Sequence, residues 1–446
     1  MATFIKPDSN DPMTTVFQNS RLLDPASGLD KIGALLVVDG RIKDMICGTA
    51  SPDVPDGARI IDCCGHALAP GLIDMKVFVG EPGFEHRETL AGASKAAATG
   101  GITTIICRSD TNPVIDDAAL VDYIRRRARD HALVHVYPTA ALTRSQAGME
   151  LTEIGLLSEA GAIAFGDGTR TVANARVMRN ALTYAKNFDA LIAPHVEDPA
   201  LADDGVMNEG AISARLGLPG RPASAEVIAV ERDMRLVELT GGRYHASSIS
   251  CADSVKSIVR AKDSGHQVTC AVSINNLILN ERDVGAYRTF FKLLPPLRSE
   301  LDREVMVSSI ADGRIDIIVS DHDPQDTDSK RRPFVEAGFG AVGLETLLPA
   351  AIGLYHNGHA RLLDVLGAMT SNPAKILGLE TGRLAKGLPA DLVLIDLDCP
   401  WVAVAEDLVS KCRNTTLERR HLQGRALMTM VDGKIVHQTT KLHLNA

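Results

Sequence analysis

The sequence predicts an α/β protein: a (β/α)8 barrel beside a small β-sandwich domain built from both chain ends. Three observations predict it. Over the middle of the chain, short β-branched apolar runs alternate with helical segments. Both ends instead carry β-type runs punctuated by Asp-Gly turns. The 446 residues are enough to bury one large core, without division into several small modules.

Residues 1–66 form the first zone, with VFQNSRLLD, then GALLVVDGRIKDMI around the hairpin signal Asp39-Gly40, then ARIIDC. Residues 67–377 carry the barrel pattern, in which TTIIC, ALVHVYP, GAIAFG, DALIAPH, RYHASSIS, HQVTCAVS and RIDIIVSD are the strand-like runs. Residues 378–446 return to the β pattern with GRLAKGLPADLVLIDLD and GRALMTMVDGKIVHQ, the latter holding a second Asp-Gly turn. Each end zone is too short to form a sandwich alone, so the two are expected to complete one together.

The formal charge of -9, from 47 Lys and Arg against 56 Asp and Glu, argues against a nucleic-acid or anionic-membrane surface. The first residues, MATFIKPDSNDPMTT, have no apolar signal core, and no run of about 18 apolar residues occurs. A cytoplasmic protein is the expectation. The eight cysteines form no CxxC pair, which fits small buried side chains in a reducing compartment better than a disulfide framework.

Barrel active sites lie at the C-terminal ends of the strands, so the residues just after each apolar run carry the functional reading. They are Lys76 and Phe78, Arg108 to Asn112, Asp167, His195, Ser248, Asn275 and Asn276, and Asp321 with His322. Carboxylates and imidazoles at several strand ends have the look of a partial metal site.

Several stretches resemble class I dihydroorotase, which closes carbamoyl aspartate to dihydroorotate on a TIM-type barrel of the amidohydrolase superfamily. They are APGLIDMKVFVGEPGFEHRETLAGASKAAATGGITTIICRSDTNPVID, HVEDPALADDGVMNEGAISARLGLPGRPASAE, KLLPPLRSELDRE, DIIVSDHDPQDTDSK, GAVGLETLLP and MTSNPAKILGL. The resemblance implies zinc held by an HxH pair on the first strand, an Asp and two single His on later strands, and a last Asp that also shuttles the proton. The HxH positions here are Lys76 and Phe78, and one single His falls on Ser248. An ammonium has no lone pair, and a phenyl ring has no donor atom. Asp167, His195 and Asp321 remain at ligand positions. The family's substrate clamp, an Arg and two Asn, falls on Gly80, Asp110 and Leu294, and its polar pair on Asn275 and Asn276. At Asp110 the substrate carboxylate would meet like charge.

Lys76 is expected to occupy the vacated metal position and pair with Asp167, Asp321 or both, against the plainer alternative of a side chain that reaches for solvent. Phe78 is expected to fill space left by the ion, and His195 and His245 to be structural. No tightly bound cofactor is expected; weak zinc on Asp167, His195 and Asp321 is the alternative. The resemblance is nearest to inactive dihydroorotase-like subunits. It implies a non-catalytic protein of pyrimidine biosynthesis, a homodimer that stabilises aspartate carbamoyltransferase assembly. The competing readings are an active dihydroorotase or other cyclic-amide hydrolase with a reduced, mononuclear metal site, and a metal-free module that binds a small metabolite.

Overall fold

The computed structural model describes residues 2–4, 14–48, 54 and 56–439. The N-terminal part supplies β1 (Ala2–Phe4), β2 (Thr14–Asp24), β3 (Leu29–Val38), β4 (Arg41–Cys47), β5 (Arg59–Asp62) and β6 (Ala67–Pro70). The barrel part supplies β7 (Leu72–Val77), β8 (Ile102–Cys107), β9 (His135–Ala140), β10 (Ala164–Phe165), a short ribbon β11 (Met207–Asn208) with β12 (Gly220–Arg221), then β13 (Tyr244–Ala246), β14 (Val268–Ser273) and β15 (Ile317–Val319). The C-terminal part supplies β16 (Leu392–Val402), β17 (His421–Val431) and β18 (Lys434–Thr439).

The two chain ends form one nine-stranded sheet in the order β1-β18-β17-β16-β6-β2-β3-β4, with β5 paired to β2. Side chains from both ends, among them Phe17, Leu35, Leu68, Leu392, Met428 and Ile435, meet in one apolar core. Asp39-Gly40 and Asp432-Gly433 have φ of 51° and 76°, and 48° and 75°, the left-handed pair that a two-residue hairpin turn needs. The two turns also pack on each other. A Cβ on Gly433 would lie 2.4 Å from the Gly40 Cα, so glycine is required there.

Pro70 ends β6 in the terminal sheet, and β7 starts the barrel two residues later. Strands β7 to β10 run parallel in sequence order, as do β13 to β15. Bridges from Phe165 to Ile192 and from Ile192 to Tyr244 make the DALIAPH run the fifth strand, and Val77 to His322 closes the ring. Every residue of ITTIIC in β8 is buried, as expected where a parallel strand has the barrel core on one side and helices on the other. Truncation of Ile105 to Ala would cost about 2–5 kcal/mol through lost contacts and a cavity. Side-chain caps at Thr89, Asp117 and Ser299 start three of the outer helices by accepting an orphan backbone N–H. The frame places the ends of β7, β8, β10 and β15 around one mouth.

Candidate functional site at the barrel mouth

Lys76 leaves β7 pointing at the end of β15, where its Nζ lies 2.8 Å from Asp321 Oδ1, with both side chains buried. It pairs with Asp321 and not with Asp167, which is held elsewhere. Asp321 has a φ of 55°, a left-handed conformation that costs an Asp of order 1 kcal/mol or more and aims its carboxylate at the mouth. Two residues before Lys76, the fully buried Asp74 accepts from the Lys76 N–H at 3.2 Å and from the Ser320 N–H at 3.3 Å. This carboxylate ties together the two strand ends that carry the ion pair. Burial pushes its pKa up to about 6, against the lowering effect of those hydrogen bonds.

Phe78 is buried beneath the Arg87 guanidinium, whose carbon lies 4.0 Å from the ring centroid. Arg87 donates to Asp323 Oδ1 at 2.5 Å and to the Pro324 carbonyl at 2.9 Å. Arg108, after β8, donates to Asp323 Oδ2 at 3.1 Å and grips Asp110 with both arms of its fork, one of them at 2.9 Å. Asp110 also packs against Gly168, where a Cβ would come within 2.6 Å of its own. The like charge expected at Asp110 is therefore corrected: Arg108 neutralises it. Burial raises the Asp110 carboxyl, but the Arg108 charge and hydrogen bonds outweigh that and hold it below its ordinary value.

The remaining ligand positions do not converge. Asp167 accepts from the Leu142 and Thr143 N–H groups at 2.8 and 2.9 Å and from the Thr143 hydroxyl, so it staples the loop after β9. Burial raises its pKa, partly offset by the Thr143 bonds. His195 is buried 3.5 Å from Glu197, and neither ring nitrogen has a hydrogen-bond partner among the described residues. The buried Ser248 hydroxyl is likewise without a partner among them. His245 sits deeper, with Nδ1 2.8 Å from the Thr269 hydroxyl; burial, with a smaller push from Lys262, drives its pKa down to about 3. His322 is wholly buried and its Nδ1 accepts from the Gly343 N–H, so it is structural.

The clamp positions follow the same pattern. Gly80 has a φ of 68°, and a Cβ there would meet the Glu88 carbonyl at 2.4 Å, so this loop path excludes a longer side chain. Asn276 donates to the Pro296 carbonyl at 2.9 Å, while Asn275 accepts from Thr416 of the chain's C-terminal part at 2.7 Å. Leu294 is half-buried in the PPLR loop. The space under Lys76 is a cavity of about 30 Å³ lined by Met75, Arg108, Ser109, His245 and Ser247, room for about two waters.

A zinc ion of the family type does not fit these residues. Phe78 offers no donor atom, the Lys76 ammonium has no lone pair and is paired with Asp321, and Asp167 faces backbone N–H groups. Among the described residues, the group of three that does bring ligand atoms within 4.8 Å of one another is His135, Asp391 and Asp432. It lies at the other end of the barrel, where β9 starts and the Asp432-Gly433 turn begins. Sequence reasoning missed Asp74, Arg87 and Asp323. Asp74 had a signal: in a strand, residues two apart share a face, so it had to lie beside Lys76.

The comparisons with known proteins agree with this barrel. A Dihydro-orotase-like family model matches residues 65–254, and an Amidohydrolase family model matches residues 350–437. A dihydroorotase of Anaplasma phagocytophilum is 41% identical over 428 residues, 95% of each chain. One of Pelobacter propionicus is 40% identical over 426 residues, 96% of this chain and all of the other. Among solved structures, an L-hydantoinase (dihydropyrimidinase) from Arthrobacter aurescens superposes with a TM-score of 0.87 over 96% of this chain and 97% of that one, at 24% identity. A D-hydantoinase gives 0.84 over 96% of each chain, at 22%; both show the fold. The chain belongs to the dihydroorotase-like amidohydrolase family.

These relatives correct the non-catalytic reading, in which the chain only supports aspartate carbamoyltransferase. The chain matches proteins named for the reaction over nearly its whole length. The step that misled was to equate lost zinc donors with lost chemistry. An ammonium beside a carboxylate also presents a positive charge and a proton acceptor. Among the described residues no helix is long and apolar enough to cross a membrane.

Proposed function

We propose that the chain opens or closes a cyclic amide of the dihydroorotate class at the Lys76–Asp321 end of the barrel. The supporting observation is the near-full-length identity to proteins named dihydroorotase, 39–41% over 95–96% of this chain for the first four of them. In the hydrolytic direction a water oxygen bonds to the ring carbonyl carbon, the ring C–N bond breaks, and the nitrogen takes a proton. In this reading Asp321 accepts the water proton and returns it to that nitrogen, and the Lys76 ammonium, paired with it, stabilises the oxyanion between the two steps.

The test is an assay of the purified full-length chain with dihydroorotate and with carbamoyl aspartate, with and without added zinc. Turnover that is lost in Asp321→Asn supports the reading. No turnover in either direction under any of these conditions overturns it. We also propose, from the sequence resemblance, a homodimer and contact with aspartate carbamoyltransferase subunits. Light scattering of each chain alone and of the mixture at micromolar concentration tests both.

A further inference from the structure

We propose that the Lys76 ammonium stands in for the divalent ion of the barrel mouth, so that this end of the barrel retains no zinc. The inference concerns metal occupancy and is independent of which reaction the site performs.

Three observations carry it together. The first is the chemistry of the positions: Lys76 and Phe78 occupy the end of β7 and Ser248 follows β13, and none of the three is a zinc ligand in its ordinary protonation state. The second is the direction of what remains. Asp321 is committed to Lys76 at 2.8 Å, and Asp167 to the N–H groups of Leu142 and Thr143 at 2.8 and 2.9 Å. His195 has unpartnered nitrogens, yet no group of three containing it meets the convergence that a zinc site needs among the described residues.

The third observation is charge balance. Lys76, Arg87 and Arg108 are three cations, and they are ion-paired with Asp321, Asp323 and Asp110, which are three carboxylates. The paired set is already neutral, so an ion at Asp321 would add two uncompensated charges next to an ammonium in a buried setting. Phe78, buried and packed under Arg87, puts a ring with no donor atom at the end of β7.

The experiment measures zinc by elemental analysis on the full-length chain after incubation with excess zinc and desalting. Wild type is compared with His135→Ala, which removes the one convergent group at the other end, and with Lys76→His/Phe78→His/Ser248→His. The expected result is less than about 0.1 zinc per chain in His135→Ala, and a rise of about tenfold when the three histidines are added to that background. Near-stoichiometric zinc that survives His135→Ala overturns the inference.

Because the triple variant can fail to fold, thermal melting supplies a second readout. Lys76→Met is expected to lower the melting temperature by several degrees, and Lys76→Met/Asp321→Asn to recover most of the loss. An unchanged melting temperature in Lys76→Met also overturns it. Zinc at full occupancy together with turnover would sink this inference and leave the proposed reaction standing; zinc-free protein without turnover would do the reverse.

Discussion

The two ends of the barrel hold similar residue types in opposite arrangements. At the mouth, Asp167, His195 and Asp321 sit where family ligands would be, but one carboxylate binds backbone, one binds an ammonium, and the imidazole faces neither. At the floor, His135 Nε2 lies 3.4 Å from Asp391 and 3.7 Å from Asp432, although none of the three stands at a ligand position of the family. Metal affinity follows the convergence of lone pairs rather than a tally of donor residues. The mouth is closed by ion pairs, while the floor gathers donors around a histidine within reach of two carboxylates.

The largest test of that contrast is removal of the Lys76 charge. With Lys76→Ala, the buried Asp321 loses its direct ion-pair partner and keeps only the more distant charge of Arg108, a loss of about 3–5 kcal/mol for breaking a buried pair from one side. Urea denaturation should show the midpoint fall with an unchanged slope. A midpoint within error of wild type would mean that the pair is solvated and that the mouth resembles any exposed surface.

Asp74 gives the next effect, and its sign is set by the direction of the shift. Its folded-state pKa of about 6 lies above the ordinary value of 3.8, so the folded chain binds this proton more tightly than the unfolded one. The associated stability is fully present below pH 3.8 and is lost as pH rises through about 6. The span is about 3 kcal/mol, at 1.36 kcal/mol per unit. The difference between wild type and Asp74→Asn, followed by denaturation from pH 4 to pH 7, should change by about that amount. A flat difference curve would remove Asp74 as the tie between the two strand ends.

Much of the fold was legible in the sequence. Each β-branched run from TTIIC to RIDIIVSD lies at a barrel strand position, and both Asp-Gly pairs are hairpin turns, because period and turn chemistry are local properties. The DALIAPH run was legible as a strand, though it contributes only the bridges at Ile192. The identity of the mouth residues was readable too, but their partners were not. Arg87 and Arg108 meet Asp323 across 236 and 215 residues of chain, a distance over which no sequence pattern specifies a pairing. The like charge expected at Asp110 failed for a local reason: Arg108, two residues earlier, grips it. The non-catalytic reading failed because missing zinc donors do not by themselves exclude the reaction, and proteins named dihydroorotase match nearly the whole chain at 39–41% identity.

A smaller effect is expected at Gly80, where the mouth loop departs from the family's Arg. Its φ of 68° and the 2.4 Å approach of the Glu88 carbonyl both oppose a side chain. Gly80→Arg should therefore cost about 1–3 kcal/mol in strain, without placing a guanidinium fork in the mouth. Gly80→Ala should cost nearly as much, because the clash is with Cβ. Comparison of the two melting temperatures checks this; a neutral alanine with a costly arginine would show that the loop path is adaptable and that only the longer chain is refused.

The smallest effect lies at the floor and has the opposite pH sense from an ordinary paired carboxylate. Burial lowers the His135 pKa, but the hydrogen bond and charge of Asp391, joined by Asp432, outweigh it and leave the value above 6.5. A raised histidine contributes stability that is fully present below pH 6.5 and disappears as pH rises through its folded value. With a side chain 28% exposed and Asp432 at 62%, solvent screening keeps the contribution to about 1 kcal/mol or less. The stability gap between wild type and His135→Gln should therefore be measurable below pH 6.5 and close as pH rises through the folded value. Added zinc should compete with that proton and bind more weakly as pH falls, because each ligand must release its proton first. A gap that stays constant with pH would mean that His135 is neutral among its carboxylates, and the contrast between a floor that titrates and a mouth closed by the Lys76–Asp321 pair would then fail.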